Sequence, residues 1–284
     1  MQPMNPTIVM AAGKGSRMRA DAAVDPETLT EARSRPKAMI RIGQDRRPLL
    51  EHLLRQLQQE GCGQACVVIA PDDVVTRAHF GTCPVAGMEL TFVEQSVPLG
   101  RSKPLGTAHA VELALRAQPE WQGASVTVAN GDNLPPRGMF QRLFMHDAAL
   151  PAFHPSHLGL PEERIQAFAV IHVNDAGQLV GITEKPDEAA MTAAMWSDGH
   201  VRVSMNYFRM PFDALLRAVS EVEEHPIRGE KELPVAVSQW LTRHDGVMAA
   251  LPMSGAFLDM THPQDIAKAG QIVDQGGFSL ISRT

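Results

Sequence analysis

The segment Thr7-Ile8-Val9-Met10-Ala11-Ala12-Gly13-Lys14-Gly15-Ser16-Arg17-Met18 constrains this chain more than any other. A short apolar run stops in two alanines, and two glycines spaced by one residue come next, with a lysine and an arginine among them. The run reads as a buried strand. The glycines let main-chain N–H groups approach an anion closely and permit positive φ, and the cations supply countercharge where phosphate oxygens would sit. Two better-known phosphate loops do not fit. A dinucleotide fingerprint needs a glycine where Met18 stands, and a Walker loop needs a different order of glycines and lysine. Taken alone, the stretch is equally compatible with a plain strand-to-helix turn.

Beyond this loop, helical and strand patterns alternate. Leu49, Leu50, Leu53, Leu54 and Leu57 recur at helical spacing between Pro48 and Gly61, which predicts a helix over 48–60. Apolar runs at 65–70, 89–94 and 124–129 predict strands, with helices at 72–80 and 106–117 between them. This order implies a parallel sheet with helices on both faces. Ligands of such sheets bind beyond the carboxyl ends of the strands, and Gly13 to Arg17, Gln95 and Asp132 all fall just after predicted strands. Residues 19–36 read as an exposed loop with a helical turn near Pro26 to Arg33. In the second half, strands at 165–173 and 178–183 flank Asn174-Asp175-Ala176-Gly177, a hairpin signal. A strand is expected at 201–210, short strands at 247–252 and 256–258, and helices at 187–196, 212–224, 233–244 and 263–274. No internal repeat or linker interrupts the chain, so one domain over 1–284 is expected, with a nucleotide half to residue 135 and a substrate half from 136.

A net charge of −6 argues against general nucleic-acid binding, which needs a basic surface. No window approaches the roughly 18 apolar residues of a membrane helix, and no basic segment leads into an apolar one at the N-terminus, so neither membrane span nor signal peptide is expected. Cys62, Cys66 and Cys83 form an odd, sparse set that suits reduced thiols and a cytoplasmic setting. The sequence leaves room for a homo-oligomer.

Candidate chemistry lies at a few points. Lys37, fixed by Pro36 and succeeded by an apolar segment, could meet a triphosphate held by the first loop. Asp132 comes just after a buried strand, a usual position for a Mg²⁺ ligand, although turn aspartates are common there. Asp259 in Phe257-Leu258-Asp259-Met260-Thr261 also ends a short strand, so two carboxylates from distant parts of the chain could share a hard cation. Glu184-Lys185-Pro186 ends a strand with an acid, a base and a stop; an exposed ion pair is the plain alternative. No Gly-x-Ser-x-Gly supports a serine triad. His109 reads as structural, and His154 and His157 lack a third metal ligand.

Taken in order, Ala11 to Met18, Pro36-Lys37, Leu105-Gly106-Thr107-Ala108-His109-Ala110, Gly131-Asp132, Glu184-Lys185-Pro186 and Leu258-Asp259 with Thr261 and Pro263 resemble the sugar-1-phosphate nucleotidyltransferase family. The resemblance implies an α/β fold, a Rossmann-like three-layer sandwich with a mixed, mostly parallel central sheet. It implies the reaction of an NTP, UTP or dTTP favoured, with a sugar 1-phosphate to give an NDP-sugar and pyrophosphate, with Mg²⁺ as cofactor. By the same resemblance Ala11, Ala12, Gly13, Gly15 and Ser16 line the nucleotide, and Arg17 and Lys37 hold its phosphates. Gln95, Gly106 and Thr107 lie at the base, and Asp132 and Asp259 bind Mg²⁺. Glu184 and Asn206 meet the sugar, and Lys185 its phosphate. Phe168-Ala169 stands where family members often have Tyr-Gly, and residues 19–35 and 97–105 look long, which bears on the identity of the sugar. The chain shows no hexapeptide β-helix, so no fused acyltransferase is expected. Two other readings of the same motifs are a CTP-dependent transferase acting on a phospho-alcohol such as phosphocholine, and a non-catalytic nucleotide-sugar sensor.

Overall fold

The computed structural model describes residues 5–13, 15, 18, 24, 26–278 and 280. Its strands are β1 (Thr7–Met10), β2 (Arg41–Ile42), β3 (Arg47–Pro48), β4 (Gln64–Ile69), β5 (Glu89–Glu94), β6 (Ser125–Asn130), β7 (Asn133–Leu134), β8 (Ala149–Phe153), β9 (Val170–Val173), β10 (Leu179–Thr183), β11 (Val203–Ser204), β12 (Phe208–Pro211), β13 (Ala249–Met253) and β14 (Leu258–Asp259). Its α-helices are α1 (Pro26–Ser34), α2 (Leu49–Gln59), α3 (Val74–Thr82), α4 (Thr107–Ala117), α5 (Met139–Leu143), α6 (Glu162–Ile165), α7 (Glu188–Ala193), α8 (Phe212–Glu221), α9 (Leu233–Arg243) and α10 (Asp265–Asp274).

Strands from both halves share one ten-stranded sheet, in the order β10-β9-β11-β8-β12-β6-β1-β4-β5, with β13 beside β8. The neighbours of β1 run parallel to it: Val9 faces Val67 of β4 and Ala129 of β6, and β5 extends the parallel set beyond β4. Alternation along these strands feeds two cores. Val9, Ala65, Val67, Ile69 and Ala129 join the leucines of α2 on one face. Ile8, Cys66, Val68, Val126 and Val128 join α4, α8 and α9 on the other. A strand buried on both faces by helices is what the parallel βα order requires. The carboxyl ends of β1, β4, β5 and β6 therefore share one edge.

The second half departs from the expected strands in three places. The run expected at 201–210 is broken into β11 and β12, with Asn206 between them at φ +58°, a left-handed conformation that asparagine tolerates better than most residues. The strand expected from 165 begins only at Val170; Pro161 with Glu162 and Glu163 starts α6 instead, a common helix-start pattern. Strand β8 was not legible at all, because Pro151 argues against a central strand. The pairing explains its tolerance. One side of β8 runs parallel with β13 throughout. The other side pairs with β11 at Ala152 and Phe153 and with β12 at Ala149. Pro151 lies where this second ladder is interrupted. At the same interruption the sheet forks, β12 continuing to β6 and β11 to β9.

Candidate active site

A cleft of about 710 Å³ opens along the carboxyl edge of the parallel strands and into the fork. Its lining includes Ala11, Ala12, Gly13 and Gly15 after β1, Gln95 after β5, Asp132 after β6 and Asn206 at the fork. Lys37, Gly106, Thr107 and Asp259 complete the predicted residues on its walls. Ser16 and Arg17 lie outside the described residues. The first loop is tied down where it begins, since Ala11 N donates to Val68 O at 2.8 Å. Gly15 has φ +57°, and a Cβ there would stand 3.0 Å from Lys37 Cβ. Lys37 starts a 3₁₀ turn whose next residues, Ala38 and Met39, are buried, so its stem is fixed against the loop.

The two carboxylates meet because β7 and β14 pair antiparallel, with Asp259 opposite Asn133. Lys37 Nζ donates to Asp132 Oδ2 at 2.6 Å. Arg164, delivered by α6, donates through Nη2 to Asp259 Oδ2 and to its carbonyl, both at 2.7 Å. The same nitrogen donates to Thr261 Oγ1 at 2.6 Å, and Nη1 reaches both oxygens of Asp265. Each carboxylate thus has one oxygen neutralised by a cation. The two Oδ1 atoms face the amide of Asn133, which with its nitrogen turned toward them donates at 3.0 Å to Asp132 and 3.1 Å to Asp259. Tyr207 is buried nearby, its phenol pushed well above the ordinary range by burial and then by the charges of Asp132 and Asp259. Among the described residues no three His, Cys, Asp or Glu side chains could hold a metal ion. The site offers two carboxylates, each with one oxygen not paired to a cationic side chain, beside the main-chain carbonyl of Asp132. That donor set fits a hard cation that keeps water and phosphate as its other ligands.

At the other end of the cleft Gln95 is buried, and its Nε2 donates to Gly106 O at 2.8 Å. Gly106 has φ +98°, and a Cβ would come within 2.6 Å of Lys231 O, so only glycine fits. The Thr107 hydroxyl accepts from Leu233 N at 2.9 Å. These contacts bind the start of α4 to the segment before α9 and fix the strap that carries Gly106. Lys103 and Glu230, which sequence reasoning passed over, also line this end.

Glu184 and Lys185 do not reach the lining. Both are exposed, Lys185 at φ +47°, and Glu184 pairs with Arg228 at 3.4 Å. The walls of the fork are instead Phe168, Ser204, Met205, Asn206 and Thr261. Arg164 and Asn133 were also missed. Asn133 had one available signal, its place beside Asp132. Arg164 had none, since its partners Asp259 and Asp265 lie 95 and 101 residues away.

Comparison with known proteins finds a matching family, curated relatives and structural neighbours. The family model for nucleotidyl transferases matches residues 6–275. UTP–glucose-1-phosphate uridylyltransferase AglF of Haloferax volcanii is 26% identical over 93% of this chain and 94% of its own. Glucose-1-phosphate thymidylyltransferase of Streptomyces griseus is 25% identical over 94% of this chain. The chain spans 65% of the length of that relative and of a second curated one. Among solved structures, a UTP-bound UGPase from Acinetobacter baumannii superposes with a TM-score of 0.68 at 18% identity, covering 94% of this chain and 92% of its own. No helix among the described residues is long and apolar enough to cross a membrane.

Proposed function

We propose, since this chain belongs to the nucleotidyl transferase family, that it transfers a nucleotidyl group from UTP or dTTP to a sugar 1-phosphate and releases pyrophosphate. The observation that carries the reading is the convergence in one cleft of the Ala11–Gly15 loop, Lys37, the Asp132–Asp259 pair and Gln95. A phosphate oxygen of the sugar phosphate attacks the α-phosphorus, forming one P–O bond as the bond to the β-phosphate breaks, and the electron pair leaves on pyrophosphate. The attacking oxygen is already ionised at neutral pH, so no protein nucleophile is needed. Positioning and neutralisation of charge make up the catalytic task.

Main-chain groups of Ala11, Ala12 and Gly13 cradle the nucleotide. Lys37, paired with Asp132, is within reach of a triphosphate held by that loop, and its transfer from carboxylate to phosphate neutralises charge building on the departing pyrophosphate. Arg17 shares this role in the reading. Asp132 and Asp259 would hold Mg²⁺, which when bound neutralises phosphate oxygens as a Lewis acid. Asn206 and Phe168 border the space for the sugar, and Glu184 and Lys185 stand outside it, so a role for either in sugar-phosphate binding requires them to move inward.

Gln95 supports the choice of base. Donation of its Nε2 to Gly106 O leaves Oε1, an acceptor, with no partner among the described residues. An acceptor there suits the N3–H of uracil or thymine and meets the bare N3 of cytosine unfavourably. Pyrophosphate release across the NTPs, each paired with sugar 1-phosphates and with phosphocholine, tests the reading. Turnover is expected with UTP or dTTP and a hexose 1-phosphate. Turnover confined to CTP with phosphocholine, or none with any pair, would overturn it.

A further inference from the structure

We infer that Asn133 is the third protein ligand of the cation site and that its amide is the switch between the free and cation-bound states. The inference rests on the proposed role of Asp132 and Asp259 as cation ligands. Asn133 is 6% exposed and lines the cleft. The terminal amide atom that faces the carboxylates lies 3.0 Å from Asp132 O, 3.0 Å from Asp132 Oδ1 and 3.1 Å from Asp259 Oδ1. In the absence of a cation only the nitrogen is tolerable there, because three acceptors surround the position. As a donor it holds together two like charges.

The same three distances have a second meaning. Oxygens bound about 2.1 Å from an octahedral Mg²⁺ are about 3.0 Å from their cis neighbours. An amide oxygen in that place would stand at cis-ligand spacing from three other oxygens. A half-turn of the amide exchanges nitrogen for oxygen without moving the side chain, so one position serves as donor in the free protein and as ligand when a cation enters. The remaining carboxylate oxygens are already engaged. Asp132 Oδ2 is held by Lys37, and Asp259 Oδ2 is held by Arg164 and Thr261. Among the described residues, the carboxylate and carbonyl oxygens around Asn133 are those not held by a cationic side chain, and they complete the site.

The test uses the full chain without nucleotide or sugar phosphate, with Mn²⁺ as probe, counted by the electron paramagnetic resonance signal of the free ion. The wild-type protein is expected to bind one Mn²⁺. Asn133→Ala removes donor and ligand together and is expected to weaken binding at least tenfold. Asn133→Asp keeps an oxygen at the position but cannot donate. It is expected to bind Mn²⁺ at least as tightly as wild type, to melt lower than wild type in chelator, and to regain the difference on adding Mg²⁺. Asn133→Ala binding Mn²⁺ as tightly as wild type would overturn the inference, as would absence of a Mn²⁺ site in wild type or a melting temperature of Asn133→Asp that ignores Mg²⁺. Should Asn133→Ala fail to fold, the Asn133→Asp melting series decides alone. Loss of nucleotidyl transfer with these binding results intact would refute the proposed reaction and leave the ligand assignment standing.

Discussion

Replacing Arg164 tests whether the site is held from behind. Its guanidinium donates to the Asp259 carbonyl and carboxylate, to Thr261 and to both oxygens of Asp265, while only 20% of its side chain is exposed. Truncation to alanine leaves two half-buried carboxylates without their cation, a loss of about 3–5 kcal/mol when no other partners remain. Here some remain. The Thr261 hydroxyl still donates to Asp259, and the main-chain N–H groups of Thr261 and His262 still donate to Asp265. The lower end, about 3 kcal/mol, is therefore expected. Lysine keeps the charge, but a point cation cannot span Asp259 and Asp265 as a planar fork does, so Arg164→Lys should retain about half of the stabilisation. In urea, at roughly 3 kcal/mol per molar, the alanine midpoint falls by about 1 M. The kcat should fall as well with the KM for UTP little changed, because Arg164 holds Asp259 and Thr261 without itself lining the cleft. The Arg164→Ala, Asp265→Ala double-mutant cycle should return a coupling of about 1–3 kcal/mol. A midpoint and kcat of Arg164→Ala indistinguishable from wild type would refute the reasoning.

Gln95→Leu removes both the hold on Gly106, which every nucleotide feels, and the acceptor for the base, which only uracil or thymine uses; kcat/KM for UTP should fall roughly 10–100-fold and more steeply than for CTP, and an equal loss for both nucleotides in steady-state kinetics would count against the assignment. Glu31 is buried, which alone would raise its carboxyl, but hydrogen bonds from the side chain and main chain of Arg41 and the charge of Arg35 hold it below the ordinary range. A lowered folded value means its stabilisation is complete above the unfolded carboxylate range and lost as pH falls through the folded one, so Glu31→Gln should be less stable than wild type at pH 7 and converge with it at low pH in urea titrations. Burial pushes the Cys62 and Cys66 thiols up to about 11, whereas Cys83 is exposed; at pH 8 a chromogenic disulfide reagent should label one thiol quickly, and Cys83→Ser should abolish that phase.

The first half of this chain was legible because a parallel βα unit leaves a strong imprint. Its strands are short and rich in apolar residues, its helices repeat at their own period, and ligand sites of such sheets fall just past strand ends. Gln95 and Asp132 were found on those terms, Lys37 through Pro36 and the apolar segment after it, and Gly106 through the family resemblance; all four line one cleft. The second half carries less signal for physical reasons. Strand β8 hides behind Pro151, acceptable only because the sheet forks beside it. The break at Asn206 interrupts an apolar run at a residue that tolerates φ +58°, and nothing in local propensity demands the break. The ladder of β7 and β14, which brings Asp259 to Asp132, is two residues long on each side, too short for any period to register.

The residues that hold the candidate site differ in kind from those expected to act in it. Chemistry restricts the second group by residue type: a phosphate calls for a cation, and a hard cation calls for carboxylates. The supporting group is restricted only by distance. Arg164 is an arginine because two carboxylates on different elements must be spanned at once. Asn133 is an amide because one atom must face three oxygens and donate to them. Neither requirement exists until the chain has folded, so neither can be written as a motif. Arg228 makes the same point from the outside. It pairs with Glu184, which a motif-based reading assigns to the sugar, and with Glu232, whose carboxyl is raised by burial and then by the charge of Glu184. A sugar phosphate that recruits Glu184 must first displace Arg228, and Glu232 then faces Glu184 with less positive charge between them. Under the proposed function, recruiting Glu184 to the sugar phosphate would therefore carry an electrostatic cost, whereas Gly106 and Thr107 on the opposite wall are already tied to Gln95 and Leu233.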